Sequence, residues 1–152
     1  MRFTRERYSE ALADEMLPLW NDHHRETANK FYGPLNPQLE TYLACDKNGC
    51  LYIFTARNKG ILVGYQVFIV SEQLHSRDQI QAVQDVLYLK PEYRKGLTGY
   101  KFMKWCINEL KNEGVDVVHQ VISARNDFGK ILERMGFQLE DLTYAKLLQE
   151  AS

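Results

Sequence analysis

The chain has 152 residues, of which 45% are hydrophobic and 26% charged, and its formal net charge is -1. This composition predicts one folded domain over residues 1–152 and argues against a disordered chain or a strongly basic nucleic-acid-binding surface. The N-terminus lacks an apolar signal segment, and no apolar run is long enough to span a bilayer. Cys45, Cys50 and Cys106 do not have the spacing of metal ligands, so we expect reduced thiols in a cytoplasmic protein without a metal.

The N-terminal third is predicted to be helical. Its apolar residues recur at the helical period: Leu12, Met16, Leu19 and Trp20. Pro18 is expected to kink or split this helix because proline removes a backbone donor. Gly-Pro and Asn-Pro pairs then predict a loop at residues 33–37, followed by a short helix at Gln38–Ala44.

The middle of the chain is predicted to form a β hairpin. Leu51–Arg57 and Ile61–Val70 are rich in β-favouring residues, and Asn58-Lys59-Gly60 between them is typical of a tight turn. Ser71–Gln81 is polar and is expected to be irregular. Val83–Leu89 is predicted to be the next strand, ended by a Lys-Pro pair.

The second half is predicted to continue with a helix at Thr98–Glu113 and a strand at Val115–Ser123. Asn126 is expected to cap a short helix that ends near Gly136. Phe137–Leu148 is expected to be a final strand. This order predicts a mixed sheet covered by helices, in which the strands before and after the long helix are parallel, with a right-handed crossover.

The segment LYLKPEYRKGLTGY, residues 87–100, carries the clearest chemical signal. A strand stops at a proline, a short basic loop with glycines follows, and a helix begins. The unpaired N–H groups and the dipole of a helix N-terminus attract anions, and Arg94 and Lys95 add positive charge. The segment therefore predicts a site for a phosphate-bearing ligand. The alternative is a structural connection whose glycines serve only the turn.

This segment and the order of elements resemble the GNAT superfamily of N-acetyltransferases. The family's loop reads Arg/Gln-x-x-Gly-x-Gly/Ala, which Arg94 and Gly99 match, whereas Leu97 stands at the middle glycine and Gly96 lies one residue earlier. Asn126 and Gly136-Phe137 match two further family positions. The segments QDVLYLKPEYRKGLTG and NDFGKILERMGF look like those of small phage and prophage members.

The resemblance implies an α/β (α+β) GNAT fold. Its central twisted mixed sheet would have about six to seven strands flanked by helices, with a parallel strand–helix–strand unit that binds acetyl-CoA. Backbone groups of Leu87 and Leu89 would bind the pantetheine arm, and Asn126 and Phe128 would contact or cover it. The pyrophosphate would be received at the start of the long helix, by residues of the loop and of its first turn: Arg94, Lys95, Gly96, Leu97, Thr98, Gly99 and Tyr100.

Two residues are candidates for the base that takes a proton from an acceptor amine. Asp85 lies four residues before Leu89 on the expected cofactor-binding strand, where many GNAT enzymes have a catalytic carboxylate. Its alternative role is to order a neighbouring loop. His75 precedes the same strand, and an imidazole can accept a proton near neutral pH, although a solvent-exposed loop histidine is the commoner outcome.

Four residues are candidates for the acceptor site. His23, His24 and Glu26 follow the first amphipathic segment, which lines the acceptor pocket in many GNAT enzymes; the alternative is a solvated helix end. His119, on the strand after the long helix, lies either beside the cleft or in the core. Aromatic residues could also shape the pocket, although most are expected in the core: Phe31, Tyr32, Tyr42, Tyr65 and Phe68.

The general acid is the gap in this assignment. Many GNAT enzymes use a tyrosine four residues before the glycine that here is Gly136, and this chain has Leu132 there. Tyr144, Tyr93 or a water molecule could replace it, and Tyr144 is the candidate we carry forward.

The function that the resemblance implies is transfer of an acetyl group from acetyl-CoA to a primary amine of a small molecule or a protein. The alternative is a non-catalytic GNAT-fold module that binds CoA or a phage or host protein. A nucleotide-binding protein is disfavoured because no Gly-Lys-Ser/Thr motif is present. A nucleic-acid partner stays open but is disfavoured by the net charge. No membrane partner is expected, and the apolar C-terminal strand allows a homodimer.

Overall fold

The computed structural model of the chain describes residues 1–27 and 31–149. In chain order its strands and α-helices are β1 (Arg2–Glu6), α1 (Glu10–Thr27), α2 (Leu39–Lys47), β2 (Leu51–Asn58), β3 (Ile61–Gln73), β4 (Ser76–Leu89), α3 (Thr98–Asn112), β5 (Val117–His119) and α4 (Gly129–Arg134), with a single 3-10 turn at Pro91–Tyr93. In this described part the strands form one sheet of five in the order β1-β2-β3-β4-β5, where six to seven strands were expected.

The structure confirms the predicted first helix and the predicted first hairpin. In α1, Leu12, Met16 and Leu19 are buried, and the helix is continuous through Pro18 rather than split there. Buried side chains lie on both sides of Pro18, so packing holds the helix together across the one lost backbone donor. The β2–β3 turn has positive φ at Lys59 (51°) and Gly60 (83°), as a tight hairpin turn requires.

The N-terminal strand β1 was missed by the sequence analysis. It pairs antiparallel with β2 from Arg2↔Arg57 to Glu6↔Ile53. Its sequence, RFTRE, is mostly charged and lacks the apolar enrichment that predicts strands. The charges are used locally, because Arg57 Nε donates to Glu6 Oε1 at 2.8 Å, so β1 is held at the sheet edge by an ion pair as well as by backbone bonds.

The expectation of an irregular segment at Ser71–Gln81 was wrong. β3 continues to Gln73, two exposed residues turn, and β4 begins at Ser76, so the two strands form a second long hairpin. Ser71 pairs with Gln81 and Glu72 with Ile80. The polar sequence arises because this end of the hairpin extends beyond the core, where backbone pairing needs no buried side chains.

The C-terminal part departs most from expectation. Residues 137–149 contain no strand, although Phe137–Leu148 was predicted to be one. β5 covers only Val117–His119 of the expected Val115–Ser123, and α4 begins at Gly129, so Asn126 is not its N-cap. A strand needs a neighbour for its backbone hydrogen bonds, and no described segment pairs with residues 137–149.

The core lies on both faces of the sheet. One cluster packs α1 against Tyr65, Val67, Val86 and Tyr88. The other packs α3, through residues such as Phe102, against Phe54, Phe68 and Leu89. β4 contributes to both clusters, so both helical layers fix its position.

Candidate functional site

The C-terminal half of β4 is open on one side. β4 and β5 are parallel, as expected, but they pair only from Gln81↔Val117 to Val83↔His119. Beyond Val83 the pairing stops, because β5 ends at His119. The edge of residues 86–89 therefore faces a gap between the strands rather than a backbone partner.

A β-bulge at Asp85 determines which backbone groups face this gap. Val67 pairs with Val86 and Phe68 pairs with Gln84, so Asp85 is the extra residue on β4. Before the bulge, the Ile80 carbonyl faces the β5 side, where it accepts from the Asp116 N–H at 2.8 Å.

Backbone groups of alternate residues point to opposite edges of a strand, and one extra residue reverses the alternation. After the bulge, the odd-numbered residues Leu87 and Leu89 therefore face the gap. Consistent with this, the Lys90 N–H points the other way and donates to the Val63 carbonyl at 2.9 Å.

A groove of about 600 Å³ begins in this gap and extends to the start of α3. We call it the fork groove. Its lining comes from α1, β4, the β4–α3 loop, α3 and the α4 region: His23, Glu26, Leu87, Tyr88, Leu89, Arg94, Gly96, Leu97, Gly99, Tyr100, Phe102, Met103, Asn126, Phe128, Ile131 and Arg134. Of the predicted cofactor-binding residues, only Lys95 and Thr98 are absent from this lining.

The N-terminus of α3 is open to the fork groove. Leu97 is the N-cap, and none of the described side chains caps the helix. The Lys101 N–H donates to the Leu97 carbonyl at 2.9 Å, so the N–H groups of residues 98–100 precede the first intrahelical bond. Gly96 has a φ of +74°, which a residue with a side chain rarely adopts, and Leu97 at the family's glycine position is 64% exposed.

Arg94 is engaged by protein groups at the edge of the fork groove. Its guanidinium binds both carboxylate oxygens of Glu26, at 2.9 and 2.8 Å, and its Nε donates to the Leu89 carbonyl at 2.5 Å. It also lies 5.2 Å from the centroid of the Tyr88 ring. The arginine expected to bind phosphate thus already ties the end of α1 to the end of β4.

His23 lies beside this arginine on the wall of the fork groove. Its ring packs edge-on against Tyr88 with centroids 5.6 Å apart. Burial lowers the pKa of His23 below its usual value, with Arg94 acting in the same direction and Glu26 opposing it. The imidazole therefore favours its neutral form, which can accept a proton.

A second cavity of about 670 Å³ lies between α1, α2 and the loop that joins them. We call it the α1/α2 pocket. Its lining is mostly aromatic, aliphatic and neutral polar: Trp20, His24, Thr27, Tyr32, Gly33, Pro34, Leu35, Asn36, Pro37, Gln38, Thr41, Tyr42, Cys45, Ile69 and Asp85.

Asp85 projects from the bulge into the α1/α2 pocket. The Tyr42 hydroxyl donates a hydrogen bond to its Oδ2 atom. Burial, together with the Asp85 charge, raises the pKa of Tyr42 far above its usual range, so the phenol keeps its proton and holds the carboxylate in place. The structure gives Oδ1 of Asp85 no partner among the described residues, so this oxygen remains available to accept a proton.

The same two elements, α1 and β4, contribute residues to both cavities. At the end of α1, His23 and Glu26 line the fork groove, whereas His24 and Thr27 line the α1/α2 pocket. On β4, Asp85 lies in the pocket and residues 87–89 lie in the groove. A group bound along the open edge of β4 would therefore lie close to a molecule bound beside Asp85.

Besides Lys95 and Thr98, the three predicted catalytic and acceptor-site residues His75, His119 and Tyr144 lie in neither cavity. His75 is at the exposed tip of the β3–β4 hairpin, because the two strands extend further than expected. His119 ends β5, where its position is fixed by pairing with Val83. Tyr144 is 91% exposed in the C-terminal segment, which forms no strand that could bring it to the site.

The other candidates for the acid do not fill the gap. Tyr93 lines neither cavity, and its phenolic oxygen accepts a hydrogen bond from Asn58 Nδ2 at 3.1 Å. Leu132, which stands at the position of the usual tyrosine, is buried. The sequence analysis named Tyr42 only as an aromatic that could shape a pocket. Its contact with Asp85 spans 43 positions in the chain and had no signal in the local sequence.

Two negative findings concern other classes of site. Among residues 1–27 and 31–149, no cluster of three or more His, Cys, Asp or Glu side chains is placed to bind a metal ion. Within the same ranges, no helix combines the length and apolar content needed to cross a bilayer.

The fold is shared with known acetyltransferases, although no protein-family model and no curated protein matches the sequence. An aminoglycoside acetyltransferase from an uncultured soil metagenomic sample, solved with sisomicin, superposes with a TM-score of 0.72, 16% identity and 97% coverage of both chains. A ribosomal-protein-alanine N-acetyltransferase from Brucella melitensis gives 0.69, with 12% identity over 96% of this chain and 98% of that chain.

A protein described as a transcriptional regulator, from Bacillus halodurans, gives a TM-score of 0.73 with 17% identity over 95% of this chain and all of that chain. These proteins differ in their described activities, and their identities are low, so the likeness concerns architecture. The chain has the fold of GNAT-type acetyltransferases.

Proposed function

We propose that this chain is an acetyl-CoA-dependent N-acetyltransferase that acts on a primary amine. The observation that carries the proposal is the bulge at Asp85. One extra residue turns the backbone of Leu87 and Leu89 toward an open groove and directs a carboxylate into the adjoining pocket. Separate sites for a donor and an acceptor would thus meet at a single strand.

The residues of the fork groove suit acetyl-CoA. The open amide groups at the start of α3, with the helix dipole, would bind the diphosphate. The open edge of β4, where the Leu89 carbonyl also accepts from Arg94, would bind the amides of the pantetheine arm. Asn126 and Phe128 also line this groove. Acetyl-CoA would supply an activated acetyl thioester at the end of the groove nearest Asp85.

The chain's own groups would then manage the protons and the developing charge. Oδ1 of Asp85 would accept a proton from the amine, directly or through water, while the Tyr42 hydroxyl holds the carboxylate in place. Backbone N–H groups on the open edge of β4 would stabilise negative charge on the carbonyl oxygen under attack. His23, neutral in the groove wall, is a second proton acceptor at the same junction.

The acceptor is proposed to be an amine of a small molecule or a protein. We also propose that the reaction takes place in the cytoplasm, which is consistent with the three free cysteines. A homodimer is proposed because Leu139, Leu142 and Leu148 in the unpaired C-terminal segment are 71–85% exposed. The likeness to phage members remains a prediction.

The second candidate function is a GNAT-fold module without catalysis. It is favoured by Leu97 at a glycine position, by Leu132 at the position of the usual acid, and by Arg94, which is already paired with Glu26. Such a module would bind CoA or a protein partner without transferring a group.

Two measurements test the proposed function. Acetyl-CoA and CoA at about 1 mM should raise the melting temperature, because a ligand that binds only the folded state stabilises it. Release of free CoA thiol should then depend on an added primary amine. Absence of stabilisation would contradict the proposal, and stabilisation without amine-dependent thiol release across a broad amine panel would favour the non-catalytic module.

A further inference from the structure

The lining of the α1/α2 pocket restricts the amine more narrowly than the fold does. Among its described lining residues, Asp85 is the only carboxylate, and lysine and arginine are absent. The other polar side chains are neutral amides and hydroxyls, apart from the imidazole of His24. One negative charge in a mostly apolar cavity matches one positive charge on a ligand.

The aromatic residues favour an apolar ligand body next to that charge. Trp20 and Tyr42 pack edge-on with centroids 5.4 Å apart, and Tyr42 is the residue that holds Asp85. Tyr32 is 75% exposed on the joining loop, so its ring is available for contact. An ammonium group bound at Oδ1 of Asp85 would carry its substituent along these rings, which also attract cations.

Volume alone does not select the ligand. A cavity of about 670 Å³ admits a small arylalkylamine and also a polyamine or an aminoglycoside. Charge separates these classes, because each further ammonium group that enters the pocket would lack a carboxylate partner in the described lining. This matters because one structural neighbour was solved with sisomicin, an aminoglycoside.

We propose that the acceptor is a small primary amine with one positive charge and an aromatic or aliphatic body, and that Asp85 binds its ammonium group. The inference rests on the proposed function in assigning this ligand as the acceptor. The binding preference itself follows from the lining and can be measured without any cofactor. Polyamines and aminoglycosides are then poor ligands, although the fold is shared with an aminoglycoside-modifying enzyme.

The test is direct titration of the cofactor-free protein with phenethylamine, spermidine, sisomicin and the neutral analogue phenethyl alcohol. Phenethylamine should bind at least about 10-fold more tightly than the other three. Asp85→Asn should weaken phenethylamine binding about 10-fold, to the level of the alcohol, with circular dichroism showing that the variant is folded. Gln38→Glu adds a carboxylate at the pocket wall and should narrow the gap between phenethylamine and spermidine about 3-fold.

Tighter binding of spermidine or sisomicin than of phenethylamine would overturn the inference, and so would phenethylamine binding that Asp85→Asn leaves unchanged. These outcomes differ from failure of the proposed function. If the titration gives the expected order but acetyl-CoA does not stabilise the protein, only the proposed function fails. If acetyl-CoA binds and sisomicin is the preferred amine, only this inference fails.

Discussion

The fork groove and the α1/α2 pocket meet at the same strand but are built in different ways. The fork groove offers two stretches of backbone for binding, the open edge of β4 and the start of α3, in addition to its lining side chains. The α1/α2 pocket offers side chains from α1, α2, their joining loop and β4. Backbone groups can bind a ligand that many proteins share, whereas side chains select a particular one. This difference is what the proposed function requires of a groove for a common cofactor and a pocket for a specific acceptor.

The largest effect is expected from Asp85→Asn. Asparagine keeps the size of the side chain but cannot act as a base, so kcat at saturating amine should fall about 10²–10⁴-fold. The cofactor dissociation constant should not change, because Asp85 lies in the α1/α2 pocket. Steady-state kinetics and a thermal-shift titration measure the two quantities separately.

Asp78→Asn is the matched control for that substitution. Asp78 is an exposed residue of the same strand with a φ of 70°, a conformation that asparagine tolerates well. Wild-type kcat is expected for this control. Wild-type turnover in Asp85→Asn would remove Asp85 as the base and leave His23 as the acceptor of the proton.

Arg94→Ala should weaken cofactor binding by about 10-fold, since a charge-assisted bond to the diphosphate is lost. The exposed Arg77, near the far end of β4, provides a control of equal charge in the variant Arg77→Ala. Titration with CoA at low and high salt measures both affinities. An unchanged dissociation constant in Arg94→Ala would mean that Arg94 only ties Glu26 to the Leu89 carbonyl.

Glu26→Gln separates those two uses of Arg94. The Glu26 carboxylate competes with a diphosphate for the Arg94 guanidinium and also repels the diphosphate. Neutralising Glu26 should therefore tighten CoA binding. The expected gain is about 3-fold, because the ion pair between Glu26 and Arg94 is partly exposed. The gain should shrink as salt screens the charges. Glu10→Gln, at the other end of α1, is the control. Weaker CoA binding in Glu26→Gln would show instead that Glu26 positions Arg94 for the ligand.

The contrast between the two cavities also explains what the sequence could predict. The strand–loop–helix unit of the fork groove is contiguous from Leu87 to Tyr100, so its hydrophobic period, its proline and its glycines reveal it locally. The bulge at Asp85 has no such signal, because it is defined by pairing with Val67 and Phe68 on another strand. The contact between Tyr42 and Asp85 likewise depends on how α2 packs over the sheet.

The errors at the two ends of the chain have the same origin. β1 has a charged sequence, and its strand conformation comes from pairing with β2 and from the ion pair between Glu6 and Arg57. Residues 137–149 have strand-like composition, yet no described segment offers them an edge. In both cases the partner, rather than the local propensity, determines whether a strand forms.

The smallest effect concerns His23, whose pKa is lowered in the folded protein mainly by burial. The unfolded chain then binds a proton more readily than the folded one, so stability is full above the ordinary value of 6.5 and falls as pH drops below it. Between pH 7.5 and 5.5 the Tm of the wild type should therefore fall further than the Tm of His23→Gln. The expected difference between the two decreases is only about 2 °C, because solvent still reaches the ring.

His75→Gln, at the hairpin tip, should follow wild type in the same pH series, since His75 lines neither cavity. The comparison between variants cancels the acid sensitivity of the shared carboxylates. Equal acid-induced losses in wild type and His23→Gln would show that the folded state accepts the proton without penalty. The imidazole would then be charged beside Arg94 at mildly acidic pH, and at that pH it could not serve as the second proton acceptor at the junction of the two cavities.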